Sequence, residues 1–178
     1  MDPVTFPGHI VVVQSLQEAE KAVAYLRTIR TIGFDTETKP AFRKGHVNKV
    51  ALLQLSGEEY CFLFRLNLIG FPECLIDLLR DPNILKVGLS LKDDYMTMRR
   101  MANFEPRGFI ELQSYVKKFN IGEASLQKIF AILFGRKISK SQRLSNWEAD
   151  VLTEGQKKYA ATDAWACCRI YETLNEIK

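Results

Sequence analysis

Histidine and cysteine are scarce in this chain, two and four among 178 residues, and their placing removes the chemistries that depend on them. Cys61, Cys74, Cys167 and Cys168 include no C-x-x-C pair. Neither a zinc site nor a disulfide framework is therefore expected, and the thiols read as small core residues of a reduced, intracellular protein. No run approaches the roughly 18 apolar residues that a membrane-spanning helix needs. Met1-Asp2-Pro3 opens without the basic and apolar regions of a secretory leader, so a cytoplasmic location and no membrane partner are expected. There is no internal repeat, no low-complexity tract and no large excess of one charge. Twenty-five Lys and Arg against twenty-one Asp and Glu leave +4, which permits a polyanionic partner without requiring one. What remains is a chain 47% hydrophobic and 26% charged, which is globular. Its length suits one domain of roughly 150 residues or slightly more, spanning positions 1–178.

The pattern of apolar residues predicts strands first and helices later. A β-branched strand at Ile10 to Val13 leads through Ser15-x-x-Glu18, a capping box, into a helix to about Arg30. Ile32 to Glu37, Val50 to Leu55 and Tyr60 to Phe64 are strand-like and close enough for hairpin or meander connections. A helix ending near Arg80, a strand at Ile84 to Val87 and a helix from Leu91 to about Ala102 follow. Helices around Leu112 to Phe119, Leu126 to Phe134 and Glu154 to about Asn175 complete the chain, the last opened by a Thr153-x-x-Gln156 capping box. This order predicts an α/β fold with one mixed sheet flanked by helices.

Acidic side chains interrupt three of these segments on faces that are otherwise apolar. Period two places Asp35 and Glu37 on one face of a strand; alone, the pair fits equally well a strand that ends in solvent. Helical spacing puts Asp94 with Leu91, Tyr95 and Met98, whereas Asp93 falls on the polar side near the positive end of the helix dipole. Asp163 sits within the stripe Tyr159, Ala160, Ala166, Cys167, Ile170 and Leu174. Four inward carboxylates without counterions repel one another, and divalent metal is the simplest remedy. Oxygen-only ligation favours Mg²⁺ or Mn²⁺, and two such ions match four carboxylates. That arrangement suits phosphoryl chemistry.

The same residues resemble the motifs of the 3′-5′ exonucleases with four acids, the DEDD superfamily. Gly33-Phe34-Asp35-Thr36-Glu37-Thr38 is similar to the first motif, Lys86-Val87-Gly88 with Asp94 to the second, and Tyr159-Ala160-Ala161-Thr162-Asp163-Ala164 to the third. Tyr159 stands four positions before Asp163, with lysine rather than histidine at position 158. The resemblance is thus to the tyrosine branch, which includes ribonuclease D, the proofreading domain of bacterial DNA polymerase I and the Werner syndrome protein exonuclease domain. Arg143-Leu144-Ser145-Asn146-Trp147 and Leu152-Thr153-Glu154-Gly155-Gln156 are most similar to the Werner-type and ribonuclease D-like members. The resemblance implies a ribonuclease H-like fold and metal-dependent release of nucleoside 5′-monophosphates from a free 3′ end, single-stranded or frayed. It implies that Asp35, Glu37, Asp94 and Asp163 hold two divalent cations, with Asp35 shared, and that Tyr159 orients the attacking water. A catalytically inert nucleic-acid-binding module of the same fold is the alternative.

Two basic segments are candidates for the substrate interface. Residues 39–49 carry Lys39, Arg43, Lys44 and Lys49 with no acid, and Phe42 offers a stacking surface beside Thr38. Arg136 to Arg143 has four cations in eight residues, and the resemblance favours Arg143 near substrate. Trp147 is a candidate for stacking on a base or for packing beneath this segment.

Overall fold

The computed structural model describes residues 1–177. In chain order its elements are β1 (Asp2–Pro3), β2 (His9–Val13), α1 (Leu16–Leu26), β3 (Thr31–Thr38), β4 (Val50–Ser56), β5 (Tyr60–Arg65), the single turn α2 (Leu66–Ile69) and α3 (Glu73–Arg80). β6 (Leu85–Gly88), α4 (Leu91–Arg99), β7 (Phe109–Glu111), α5 (Leu112–Tyr115) with a 3-10 turn over Val116–Phe119, α6 (Leu126–Phe134), β8 (Arg136–Lys137) and α7 (Glu154–Ile177) follow. The mixed sheet has the order β2-β5-β4-β3-β6-β7. β3, β4 and β5 form an antiparallel meander, as their spacing predicts. β2 joins β5, β6 joins β3 and β7 joins β6 in parallel.

Both faces of the sheet are covered, so its central strand is buried on both sides and mostly apolar. β4 is buried at all seven positions. On one face Ile32 and Phe34 of β3 join a core with residues of α1, α3 and α4. On the other, α5, α6 and α7 supply a second core that includes Trp165 and Ile170. Both capping boxes form: Ser15 Oγ accepts from Glu18 N at 3.1 Å, and Thr153 Oγ1 accepts from Gln156 N at 3.1 Å while Gln156 Oε1 accepts from Thr153 N at 2.9 Å. α1 ends at Leu26, four residues before the expected Arg30, because Thr28 turns its hydroxyl back onto the Tyr25 carbonyl and the chain re-enters the sheet at Thr31. Likewise α4 stops at Arg99 rather than Ala102.

At Gly33, β3 and α7 approach closely. A Cβ at Gly33 would stand 1.8 Å from the Ala164 carbonyl oxygen and 3.1 Å from Cys168 Cβ. Ala160, Ala161, Ala164 and Cys168 keep α7 slim, and each is essentially buried. This contact sets Asp35, two residues beyond Gly33, against Asp163, one residue before Ala164. Gly33→Ala should therefore destabilise the chain by ~3 kcal/mol, the upper part of the usual overpacking range. Gly122→Ala, where an added Cβ meets nothing within 4 Å, should change stability by less than ~0.5 kcal/mol. Urea unfolding of the two variants checks the pair; equal effects would contradict the close β3–α7 packing.

Candidate active site

The alternation of β3 sends Asp35 and Glu37 toward α7, where Asp163 meets them. One carboxylate oxygen from each of the three can be chosen so that all lie within 4.8 Å of one another. Asp94 comes from α4, on the other face of the sheet, and is held by Thr36, whose hydroxyl donates to Asp94 Oδ1 at 2.5 Å. Asp94 is thus offset from the trio and interacts chiefly with Asp35. Tyr159, one turn before Asp163 on α7, lines a cavity of about 440 Å³ with Asp35, Glu37 and Asp163, together with Lys140, Arg143, Ser90, Gln127 and Cys167.

These carboxyls are withdrawn from water without a cationic partner. Glu37 is 9% and Asp163 6% exposed, and among the described residues no lysine or arginine makes a salt bridge with any of the four. Asp163 Oδ1 is buried with no hydrogen-bond donor. Burial first, and the neighbouring acids second, push Glu37 up to about 10 and Asp94 up to about 8. Asp35 is raised well above its ordinary value by burial and Asp163, and burial lifts Asp163 to about 7. The chemistry of this donor set, an orphaned carboxylate oxygen among closely spaced hard oxygens, fits divalent Mg²⁺ or Mn²⁺. Burial and the same acids raise Tyr159 as well, so its phenol remains protonated and is a hydrogen-bond donor rather than a base.

Other predicted residues fall differently. Arg143 lines the cavity. Lys39, Phe42, Arg43 and Lys44 are exposed on a loop beyond β3, with Phe42 91% exposed, and none of them lines the cavity beside the acids. Asn48 closes the neck of that loop by donating to the Lys39 carbonyl at 2.8 Å, and His46 faces Asn48 Oδ1 at 2.8 Å. Thr38 is half-buried where β3 bulges out of register with β4. Trp147 is not available for stacking on a base: it is fully buried, with its ring 6.0 Å from that of Tyr159. The large apolar ring is worth more under the loop than in water, and there it backs the tyrosine.

Three supporting residues escape motif reading. Gln54, paired with Asp35 across the β3–β4 ladder, donates to Glu37 Oε1 at 3.5 Å and to the Ala160 carbonyl at 3.1 Å. It is the sole polar residue of Val50 to Leu55, a signal available in advance. Thr36 offers no such signal, since its role depends on where α4 packs. Glu111 accepts from Ser90 N at 3.1 Å and Leu91 N at 2.8 Å, capping the helix that carries Asp94 where Ser90 turns through a left-handed φ of 58°.

A model of a family described as 3′-5′ exonuclease matches residues 10–177. The mouse (Mus musculus) bifunctional 3′-5′ exonuclease/ATP-dependent helicase WRN is 33% identical over 182 residues, covering 97% of this chain and 13% of that protein. An Arabidopsis thaliana 3′-5′ exonuclease is 27% identical over 188 residues, covering 97% of this chain and 65% of that protein. The chain therefore spans less than two thirds of the length of either relative. The crystal structure of the Aedes aegypti Nibbler EXO domain superposes with a TM-score of 0.85 at 21% identity, over 97% of this chain and 91% of that one. It shares the helix-flanked mixed sheet. Among the described residues no helix is long and apolar enough to cross a membrane.

The electrostatics give a pH dependence whose sign is fixed. The folded state keeps protons on Asp163 and Asp94 at pH values where the unfolded chain has released them, so stability is fully present below about pH 4 and falls as pH rises through about 7 and 8. In EDTA the melting temperature should drop by at least about 5 °C between pH 5 and pH 8.5, at roughly 2–4 °C per kcal/mol for a chain this size. Millimolar Mn²⁺ should restore most of it at pH 8.5 and little at pH 5. Differential scanning calorimetry checks both; a melting temperature that rises with pH in EDTA would contradict the buried, unpaired carboxyls.

Proposed function

This chain belongs to the 3′-5′ exonuclease family, and we propose from that premise that, as one domain over positions 1–178, it hydrolyses the terminal phosphodiester of a nucleic-acid strand with a free 3′ end. The product is a nucleoside 5′-monophosphate and a strand one nucleotide shorter. The observation that carries the reading is the convergence of Asp35, Glu37 and Asp163, with an unpartnered buried oxygen, in one cavity with Tyr159, while Asp94 is tied to its edge through the Thr36 hydroxyl. Two divalent cations, Mg²⁺ or Mn²⁺, would supply Lewis acidity toward the phosphate and make water nucleophilic at neutral pH.

The chain's own groups divide the remaining work. Asp35, the member of the trio that interacts with Asp94, would serve both ions; Glu37 and Asp163 would complete one and Asp94 the other. Thr36 fixes the Asp94 carboxylate in one orientation. Tyr159, protonated and backed by Trp147, directs the attacking water at phosphorus. The water oxygen bonds to phosphorus, the bond to the 3′ oxygen of the preceding nucleotide breaks, and that oxygen leaves as a hydroxyl after taking up a proton. Lys140 and Arg143 on the cavity lining oppose the phosphate charge, and Thr38, Lys39, Phe42, Arg43 and Lys44 are more distant candidates for strand contact. A cavity of about 440 Å³ is the size of small-ligand sites, which favours an unpaired or frayed terminus over an intact duplex.

The test offers 5′-labelled DNA and RNA, single-stranded and paired, with 3′-hydroxyl or 3′-blocked ends, with and without Mn²⁺. A ladder shortening from the 3′ end, requiring Mn²⁺ and a free hydroxyl, is expected. Asp35→Ala should abolish it in a folded protein. Tyr159→Phe should lower kcat by about 100-fold, the low end for loss of one preorganised hydrogen-bond donor, with the Mn²⁺-dependent gain in melting temperature retained. Retention of strand by the wild type with no ladder under any condition would instead support an inert binding module.

A further inference from the structure

A second cavity, about 670 Å³, adjoins the catalytic one, and Gln127 and Lys140 line both. Its walls are α6, which provides Lys128 and Ala131, and the β1–β8 ladder, which provides Pro3 and Lys137. Ile138, 3% exposed, lies at its base. The ladder is fixed by the Val4 amide donating to the Lys137 carbonyl at 3.0 Å and by Arg136 Nη2 donating to the Pro3 carbonyl at 2.8 Å. The wall formed by Pro3 lies outside the range 10–177 matched by the family model.

Its lining is chemically one-sided. Three lysines, Lys128, Lys137 and Lys140, contribute the charge and no acid lines it. Lys128 has a counter-charge in Glu123 at 3.8 Å, but both side chains are exposed, and such pairs are weak and yield to salt or a stronger anion. Between the lysines the surface is apolar. Alternating cations over an apolar floor, continuous with a site for a terminal phosphodiester, match a single strand, whose phosphates are polyanionic and whose base faces are apolar.

Resting on the nuclease reading, the geometry points to this groove as the track for the nucleotides upstream of the scissile bond. Phosphates pass Lys140, Lys137 and Lys128, and bases lie on Pro3 and Ala131, over the floor that Ile138 closes. The strand thus leaves along α6 and β8 rather than over the loop at residues 39–49, which lines neither cavity.

The test measures binding rather than turnover, in full chains all carrying Asp35→Ala so that the probe survives. Fluorescein-labelled oligothymidylate and oligouridylate of 12 and 2 nucleotides are titrated by anisotropy in Mg²⁺. Lys128→Glu/Lys137→Glu should raise the Kd of the 12-mer at least 10-fold and erase most of its advantage over the 2-mer. It should also flatten the slope of log Kd against log salt by about 1.4, two single-strand phosphate contacts. Lys21→Glu/Arg30→Glu, an equal reversal of charge at two exposed positions that line neither cavity, should change the 12-mer Kd less than threefold. Unchanged 12-mer affinity in Lys128→Glu/Lys137→Glu, a larger loss in Lys21→Glu/Arg30→Glu, or no 12-mer binding at all would overturn the track. A protein that binds through the lysines but yields no ladder in the cleavage assay would refute the nuclease reading and leave the track standing.

Discussion

Carboxylates resist being buried together, and that resistance governs this molecule. Removing an ionised acid from water costs several kcal/mol even after relaxation, and Asp35, Glu37 and Asp163 each add to the field on the next. The protein offers these three the Gln54 amide on Glu37 and the Thr36 backbone amide on Asp35, with the Thr36 hydroxyl going to Asp94, and among the described residues no salt bridge. A second acidic group, Glu58 and Glu172 with Cys168, shows the contrast. There Glu58 is exposed, stands 4.0 Å from Arg169 and accepts from Trp165 Nε1 at 3.2 Å. That group is stable as it is. Asp35, Glu37 and Asp163 have no such cation beside them, so protons or divalent cations must relieve their repulsion.

The fold serves this constraint by bringing the acids in on rigid elements. Asp35 and Glu37 ride on a strand with neighbours on both sides, and Asp163 on a 24-residue helix pressed against Gly33. Asp94 depends on a longer chain of support, from Glu111 through the capped start of α4 to the Thr36 hydroxyl. Trp147 and the Thr153–Gln156 capping box perform the same service for Tyr159. Preorganisation of this kind is what allows electrostatic catalysis to avoid rearrangement at the moment of reaction.

Much of this was legible in the amino-acid order because the relevant periods are local. Alternation placed Asp35 with Glu37, and helical spacing chose Asp94 over Asp93; the structure leaves Asp93 exposed and ties Asp94 to Thr36. Long-range packing was not legible. By alternation Thr36 points away from Asp35 and Glu37, and only the seating of α4 on that face gives it a partner. β7 is three residues long and the β1–β8 ladder joins segments 134 positions apart with two residues each, too short to show a period. Trp147 could stack or pack from sequence alone, and the depth of the loop around it decided for packing. The groove of Lys128, Lys137 and Lys140 likewise exists only once α6 and β8 are side by side.

Under the proposed function the inward acids would share a pair of hard cations. Crystals of the protein soaked in Mn²⁺ and measured at the manganese absorption edge address it most directly. The account predicts two anomalous peaks in the cavity, one among Asp35, Glu37 and Asp163 and one between Asp35 and Asp94. Peaks confined to the surface, or an empty cavity with the four carboxyl groups turned apart, would contradict it.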